Sequence, residues 1–577
     1  MFLKNISINV VAICFLILYT RNVCGEKEEN EIPERYSIAT FSWDEVNLPL
    51  IIAVWLLVAA VAKIVFHIWP KVSEIFPDSS LLIMVGLGVG IVLNLIGVDR
   101  HKFSLGSEIF FIYLLPPLVF DAGYFMPARQ FFDNLGSILT LAIIGTLWNF
   151  IAVGISLWAI GKTGIFGMDM SLLHYLLFAS LIVDVDPVAV IVIFEEMQVN
   201  VDLYIAVFGE SLLNDGVSVV IYKTMLAFTE MTDNGQTLIA RDYIYGCLSF
   251  FVVSFGGLAI GLIFAFIASY VTKYTGNVKI LNPVFVIVLP FCAYLVSEMF
   301  GLSAIIGAVF CGAAMRPYVQ ENIPEKAYSA INYFVKVLSS SSETVIFIFL
   351  GLSTVSSDHQ WNSAFIVTTV TLCILIRTLG VVVLCYFLNK RRLNQYSRVD
   401  QFIIAYGGLR GAIAYGLVVA LPDTLPCKKM FVTCCIIVIY WTVFLQGLTI
   451  RPIASFLEVE RKKVYRKKMI DYIYENLIDH TMGGMEDIAG IRGHASLRIA
   501  FEKFNKRYLK PLLIKRKKRE TMGHSKLIRA YENLRATDTR DLLRRPEDMM
   551  QNTLFVQLLT ARLVRLNWLF VKKHLEL

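Results

Sequence analysis

The fold of this chain is decided by residues 208–216, which read FGESLLNDG. They lie inside an apolar run from about residue 203 to residue 228. Such a run is long enough to cross the ~30 Å hydrocarbon core of a bilayer as a helix. We therefore predict a transmembrane helix that carries acidic and amide side chains at its middle.

Two adjacent polar columns run along this predicted helix. Residues four apart share a helix face, so Glu210 lies beside Asn214, and Ser211 lies beside Asp215. An ionisable residue at membrane depth costs roughly 2.5–3.5 kcal/mol on insertion scales, and a functional role is the default expectation for it. The same run is therefore expected to be both a membrane span and part of a site.

The composition is typical of a polytopic helical membrane protein. Of the 577 residues, 56% are hydrophobic and only 17% are charged, whereas a soluble domain carries about 25% charged residues. Repeated apolar runs predict an all-α membrane protein. The sequence has no visible catalytic triad, phosphate loop or nucleic-acid motif. We expect neither an enzyme nor a nucleic-acid-binding protein, and no cofactor.

The apolar runs predict about thirteen spans within a transmembrane domain at 48–455. An odd number of spans places the two ends of the domain on opposite sides of the membrane. The excess of basic residues in alternate loops agrees in part with a cytoplasmic C-terminus. The predicted spans are 48–69, 80–97, 105–123, 134–160, 172–197, 202–229, 242–272, 280–300, 302–316, 330–355, 363–389, 401–421 and 430–455.

Both ends of the chain are predicted to be separate segments. Residues 1–25 have the pattern of a cleaved secretory signal peptide, with a retained signal anchor as the alternative, and 26–47 would be an extracellular leader. Residues 456–577 are basic and are expected to form a cytoplasmic regulatory tail. Within it, 503–519 would face anionic lipids such as phosphoinositides, or serve topology and solubility alone.

Two of the predicted spans are interrupted. The fifth contains VDVDP at 183–187, and Pro187 should unwind the helix near Asp186 because proline lacks an amide hydrogen. The twelfth contains YGGLRG at 406–411, which suits unwound backbone that lines a cavity. If spans 1–6 and 8–13 are inverted repeats, the breaks occupy corresponding positions. Paired broken helices point to a transporter site at the repeat interface.

Asp186 and Asp215 lie at similar depth on consecutive spans. Hard cations such as Na⁺ prefer oxygen ligands, which the two aspartates, the Asn214 amide and carbonyls near Val185 would supply. A buried carboxylate binds either a proton or a cation, so competition for it gives exchange. With asparagine at 214, one proton trades for one Na⁺. An N-terminal helix cap is the alternative role for Asp186.

Other polar residues at membrane depth are expected to support this site. Glu210 and Arg377 are isolated charges in apolar runs, and they predict a structural ion pair, because breaking such a pair costs ~3–5 kcal/mol. Arg410 is expected to offset partial charge at the broken helix ends. Asp184 would face away from Asp186 in an intact helix and is predicted to be peripheral. The remaining supporting candidates are Ser211, Val185, Pro187, Gly407, Gly408 and Glu343.

An aromatic, proline-bent span begins with FFIYLLPP at 110–117. Helix packing is one interpretation of it, and a lining of the outer cation path is the other. The candidates for that path are Phe110, Phe111, Leu115 and Asp121.

Five motifs together resemble the plasma-membrane-type sodium/proton exchangers of the cation/proton antiporter superfamily (solute carrier family 9). The resemblance covers roughly residues 47–514. The motifs are FIYLLPPLVFDAGY at 111–124, DPVAV at 186–190, FGESLLND at 208–215, SSSETVIFIFLGLS at 340–353 and QFIIAYGGLRGAIAY at 401–415.

The resemblance implies a thirteen-helix inverted-repeat fold with a core and a dimerisation domain, a homodimer, and elevator-like alternating access. It implies electroneutral exchange of external Na⁺ for internal H⁺ at the plasma membrane, which regulates intracellular pH and volume. It places the Na⁺ site at Asp186, Asn214 and Asp215, with Glu210 and Arg377 in support. The aromatic run at 110–111 matches the region implicated in amiloride-type inhibition.

The tail begins with an amphipathic pattern at i, i+3, i+4, i+7 and i+8. A helix lying on the membrane is one interpretation. The resemblance implies instead that the helix at 470–491 binds a groove in a calcineurin-B-homologous EF-hand protein. The apolar face consists of Ile470, Ile473, Tyr474, Leu477 and Ile478.

Three other functions remain as alternatives. An endosomal-type exchanger that prefers K⁺ would share the same fold. A cation channel would show unitary currents. A non-transporting scaffold would have no reason to keep costly buried charges.

Overall fold

A computed structural model describes most of the chain, and the described residues divide between Lys463 and Val464 into two compact units. The described residues are 57–64 without 59 and 62, 76–96, 106–168, 170–186, 188–275, 279–355, 359–390, 392, 394–461, 474, 477–478, 481–486, 488 and 494–515.

The first unit is almost entirely helical. Its described residues contain no strand, only an isolated antiparallel bridge between Val199 and Arg461. Its helices are α1 (Asp78–Ile96), α2 (Ser107–Phe125), α3 (Ala128–Asp133), α4 (Leu135–Gly161), α5 (Leu172–Ile182), α6 (Val188–Met197), α7 (Val201–Asp233), α8 (Ala240–Tyr274), α9 (Asn282–Met299), α10 (Ala304–Asn322), α11 (Glu325–Ser353), α12 (Ser363–Asn389), α13 (Arg398–Tyr406), α14 (Ala412–Val419) and α15 (Lys428–Phe456).

Nine of these helices, counted over the described residues, are long and apolar enough to cross a membrane. They are α1, α2, α4, α7, α8, α9, α11, α12 and α15, and each coincides with a predicted span. The all-helical fold class is therefore confirmed. The count of thirteen stays a prediction, because most of the first predicted span lies outside the described residues.

Both predicted interruptions are present. The fifth span ends its first helix at Ile182 and begins the next at Val188, whereas Pro187 itself lies outside the described residues. The twelfth span ends α13 at Tyr406 and begins α14 at Ala412. The two breaks meet, because the Asp186 N–H donates a 2.8 Å hydrogen bond to the Leu409 carbonyl.

Helix α7, which carries FGESLLND, is the central helix of the unit. Of the residues in its most apolar stretch, 94% are buried, whereas the share in the following helix, α8, is only 17%. A helix that is apolar all round belongs in the interior of a bundle. Glu210 and Asp215, near the middle of α7, are therefore surrounded by protein.

The first unit continues past the last span. The Asn200 N–H donates a 2.8 Å hydrogen bond to the Glu460 carbonyl, and Val459 is buried. This pairing explains why the division falls at residue 463, a few residues after the predicted end of the transmembrane domain at 455.

The second unit contains described helix in the tail. Helix α16 (His494–Phe504) continues through a π-helical turn, Asn505–Leu509, into α17 (Lys510–Leu513). The predicted basic segment at 503–519 overlaps this helix, but residues 516–519 lie outside the described residues.

Candidate functional site

Asn214 and Asp215 lie side by side near the middle of α7, and both are buried. The Asn214 amide is fixed at both ends. Its Oδ1 accepts a 2.8 Å hydrogen bond from the Thr146 hydroxyl, and its Nδ2 donates a 3.3 Å bond to the Val183 carbonyl. Asn214 thus connects α7 to α4 and to the first break.

Asp184 is not peripheral, so that prediction is wrong. Its side chain is 1% exposed, and its Oδ1 accepts a 2.6 Å hydrogen bond from the hydroxyl of Ser218, which lies three residues after Asp215 on α7. The expectation assumed helical spacing from Asp186, but residues 183–186 are unwound. A helical backbone would place the side chains of residues 184 and 186 on different faces. Unwound backbone does not impose that separation.

Asp186 is partly exposed, in contrast to Asp184 and Asp215. Its side chain lies against Gly411 in the second break, where an added Cβ would collide with the carboxylate. Its negative charge also acts on Asp215. The three acidic residues therefore share one region, and Asp186 is the one that water reaches most readily.

Arg410 closes the end of the first broken helix. Its Nη1 donates hydrogen bonds of 2.5 Å and 2.9 Å to the Val183 and Asp184 carbonyls. The C-terminal end of a helix carries partial negative charge and unpaired carbonyls. The predicted role of Arg410 at a broken helix end is thus supported by its contacts.

Glu210 and Arg377 form the ion pair that the sequence suggests. Arg377 Nη1 lies 3.0 Å from Glu210 Oε1, and both residues are 5% exposed. Arg377 also donates to the Ile404 and Ala405 carbonyls at 3.1 and 3.2 Å. Arg377 therefore binds backbone carbonyls at the end of α13, as Arg410 binds backbone carbonyls at the end of α5.

Glycines of the second break leave space for these charged groups. An added Cβ on Gly408 would collide with the guanidinium of Arg377. Gly407 donates its N–H to the Ile403 carbonyl at 2.8 Å, which completes the last turn of α13. The close approach of a side chain to the backbone therefore explains why the second break is rich in glycine.

Two π-helical turns adjoin the site, and the sequence reasoning missed both. The turn Thr140–Gly145 in α4 precedes Thr146, which holds Asn214. The turn Trp441–Gln446 in α15 contains Thr442, whose hydroxyl accepts a 3.2 Å hydrogen bond from the Arg410 N–H. Such turns occur frequently at functional sites, but an isolated threonine in an apolar run gives no local signal for either contact.

Glu343 has a basic neighbour that the sequence reasoning did not identify. The Lys63 ammonium donates to the hydroxyl of Ser340, which lies one turn before Glu343 on the same helix. Lys63 lies inside the first predicted span, where a single lysine among apolar residues was the available signal.

The predicted outer-path residues divide into two kinds. Phe110 and Leu115 are fully buried, and the Phe110 ring fills the space beside Gly416 in α14. Phe111 and Asp121 are partly exposed, and Lys336 is a charged neighbour of Asp121. Packing accounts for the first two, and a role of the four in an outer path stays a prediction.

The other supporting candidates contribute backbone or local contacts. The Ser211 hydroxyl donates to the Val207 carbonyl of its own helix at 2.9 Å. Val185 is buried in the first break. Pro187 lies outside the described residues.

The region offers a mixed set of oxygen atoms. Carboxylates come from Asp184, Asp186 and Asp215, and an amide oxygen comes from Asn214. Within the described residues, no three acidic, histidine or cysteine side chains converge as a metal-ion site would require. Mixed oxygen donors suit a hard cation that binds transiently.

The described residues of the predicted tail helix present apolar side chains to solvent. Tyr474, Leu477 and Ile478 are 62%, 58% and 43% exposed. Ile470 and Ile473 lie outside the described residues.

Comparison with solved structures supports the fold. The sodium proton antiporter MjNhaP1 from Methanocaldococcus jannaschii superimposes with a TM-score of 0.57 at 17% identity, covering 72% of this chain and 99% of that protein.

Sequence comparison gives the family. The family model "Sodium/hydrogen exchanger, transmembrane" matches residues 56–456. The "Probable Na(+)/H(+) antiporter nhx-9" of Caenorhabditis elegans is 47% identical over 525 residues, which are 91% of this chain and 78% of the relative. "Sodium/hydrogen exchanger 2" of Oryctolagus cuniculus is 45% identical over 88% of this chain and 61% of its own length. The chain is thus a multi-pass membrane protein that belongs to the transmembrane sodium/hydrogen exchanger family.

Proposed function

We propose that this protein exchanges external Na⁺ for internal H⁺, one for one, and thereby regulates intracellular pH and volume. The observation that carries the proposal is the position of Asp215, buried on the central helix where the two broken spans meet. The names of its relatives, a probable Na⁺/H⁺ antiporter and sodium/hydrogen exchangers, support the same two substrates.

In this proposal, Asp215 binds either a proton or Na⁺, together with Asp186 and Asn214. Competition between the two ions couples their movements without another energy source. The arginines at the broken helix ends satisfy backbone carbonyls that lipid would leave unpaired. The core that carries the breaks would then move against a dimeric scaffold, so that the site opens alternately to each side.

The cellular setting is part of the proposal. The protein would be a homodimer in the plasma membrane, with its N-terminus outside after signal cleavage and its tail in the cytoplasm. The exposed Tyr474, Leu477 and Ile478 favour a helix-in-groove contact with a calcineurin-B-homologous EF-hand protein. The basic segment at 503–519 would contact phosphoinositides or other anionic lipids.

The test is expression of the full chain in exchanger-deficient cells that have been acid-loaded. We expect intracellular pH to recover when external Na⁺ is supplied and not when K⁺ replaces it. Recovery in K⁺ alone would favour the endosomal-type exchanger, and unitary currents would favour a channel. Imaging of the intact protein would separate the plasma membrane from internal membranes.

A further inference from the structure

A second buried carboxyl group stands beside Asp215. Asp184 is 1% exposed, and its Oδ1 accepts a 2.6 Å hydrogen bond from the Ser218 hydroxyl. Ser218 also lies 3.2 Å from the Asp215 carbonyl, which makes the bond to Asp184 the shorter of its two contacts. One carboxylate oxygen of Asp184 is therefore satisfied by α7.

The other carboxylate oxygen of Asp184 has no such hydrogen bond. Asp184 Oδ2 and Asp215 Oδ1 are both buried, and neither accepts a hydrogen bond from any donor in the part of the chain that the structure describes. Ser218 joins the two residues, because its hydroxyl contacts the Asp184 carboxylate and, at 3.2 Å, the Asp215 carbonyl. Buried polar atoms require a partner, and carboxylate oxygens are ligands that hard cations prefer. A cation that bridged the two oxygens would satisfy both.

The surrounding charges do not supply that bridge. The groups that act on Asp184 from the elements around it are Asp186 in the same break, Arg410 in the second break, Asp215 on α7 and Cys435 on α15. Of these, only Arg410 is positive, and its guanidinium is directed to backbone carbonyls of the first break. The pair of aspartates is thus left to bind the exchanged ions.

We propose that Asp184 is a second carboxylate ligand of the exchanged Na⁺, beside Asp215. The inference rests on the proposed antiport function and deepens it. The one-for-one exchange of the proposed function is unchanged, because Asp215 remains the group at which the proton and Na⁺ compete.

The test measures Na⁺ binding to the purified full chain. Melting temperature is followed as NaCl replaces choline chloride at constant ionic strength, between pH 6 and pH 9. A ligand that binds only the folded state stabilises it by RT ln(1 + [L]/Kd), so the rise in melting temperature with NaCl concentration gives the dissociation constant Kd for Na⁺. For the wild type, we expect Na⁺ to stabilise the protein, with more Na⁺ required as the pH falls.

Asp184→Asn removes one negative charge and places an amide donor beside Asp215. We expect the Kd for Na⁺ to rise by about tenfold, because an attraction at short range is lost. A Kd equal to that of the wild type would overturn the proposal and leave Asp184 a packing residue.

Ser218→Ala tests the same pair without removing a carboxylate. Loss of the hydroxyl removes the hydrogen bond that holds the Asp184 carboxylate against α7, so the Kd for Na⁺ should rise, by less than in Asp184→Asn. If Asp184→Asn fails to fold, an unchanged Kd in Ser218→Ala overturns the proposal. Asp242→Asn is the matched control, because Asp242 is a partly exposed capping residue whose contact an asparagine retains.

Exchange is measured separately in the cell assay. A wild-type protein that binds Na⁺ in competition with protons but does not restore intracellular pH would contradict the proposed function. In that case, the shifts in Asp184→Asn and Ser218→Ala would still support the shared ion site, and their absence would overturn it.

Discussion

The Asp186 N–H lies 2.8 Å from the Leu409 carbonyl oxygen and joins the two interrupted spans at their breaks. Within a bilayer, each unpaired backbone group costs several kcal/mol, so unwound segments persist only where protein satisfies them. Here the backbone of each break supplies a hydrogen-bond partner for the backbone of the other. The two broken spans are thus expected to move together.

The Glu210–Arg377 pair is expected to stabilise the protein. Glu210→Ala leaves a buried guanidinium without its counter-ion and should cost ~3–5 kcal/mol. Lys223→Ala breaks the ion pair between Lys223 and Glu298. Because these two side chains are 41% and 47% exposed, the loss of stability should be less than ~1 kcal/mol. Thermal unfolding of the detergent-solubilised protein measures the loss of stability in both variants. Equal losses would contradict a structural role for the buried pair.

Gly411→Ala should impair transport. The added methyl group would take the space of the Asp186 carboxylate, and forcing extra atoms into a packed interior costs typically ~1–3 kcal/mol. Gly88→Ala is the control, because nothing lies within 4 Å of a Cβ there. We expect the rate of Na⁺-dependent pH recovery, corrected for surface amount, to fall at least about tenfold in the first variant only. Normal recovery in Gly411→Ala would show that Asp186 need not occupy this position.

Exchange is expected to carry no net charge. One proton replaced by one Na⁺ leaves the charge of the site unchanged, so a voltage imposed without ion gradients should drive no transport current. Recordings from proteoliposomes or whole cells test this directly. A current that requires Asp215 would mean that more than one proton accompanies each Na⁺.

The helical fold and the principal charges of the site follow from local sequence. Glu210 and Arg377 were recognisable as a pair because each is an isolated charge in an apolar run. The contacts of Thr146, Thr442 and Lys63 were not, because they join helices far apart in sequence. The position of Asp184 was mistaken for a related reason, since helical spacing does not hold where the backbone unwinds.

The central claim is that Asp215 is the group for which Na⁺ and the proton compete. The most direct measurement compares wild-type protein with Asp215→Asn in acid-loaded, exchanger-deficient cells, at equal surface amounts. We predict that Na⁺ restores intracellular pH through the wild type and that the variant gives no recovery above that of untransfected cells. Recovery through Asp215→Asn at the wild-type rate would contradict the account.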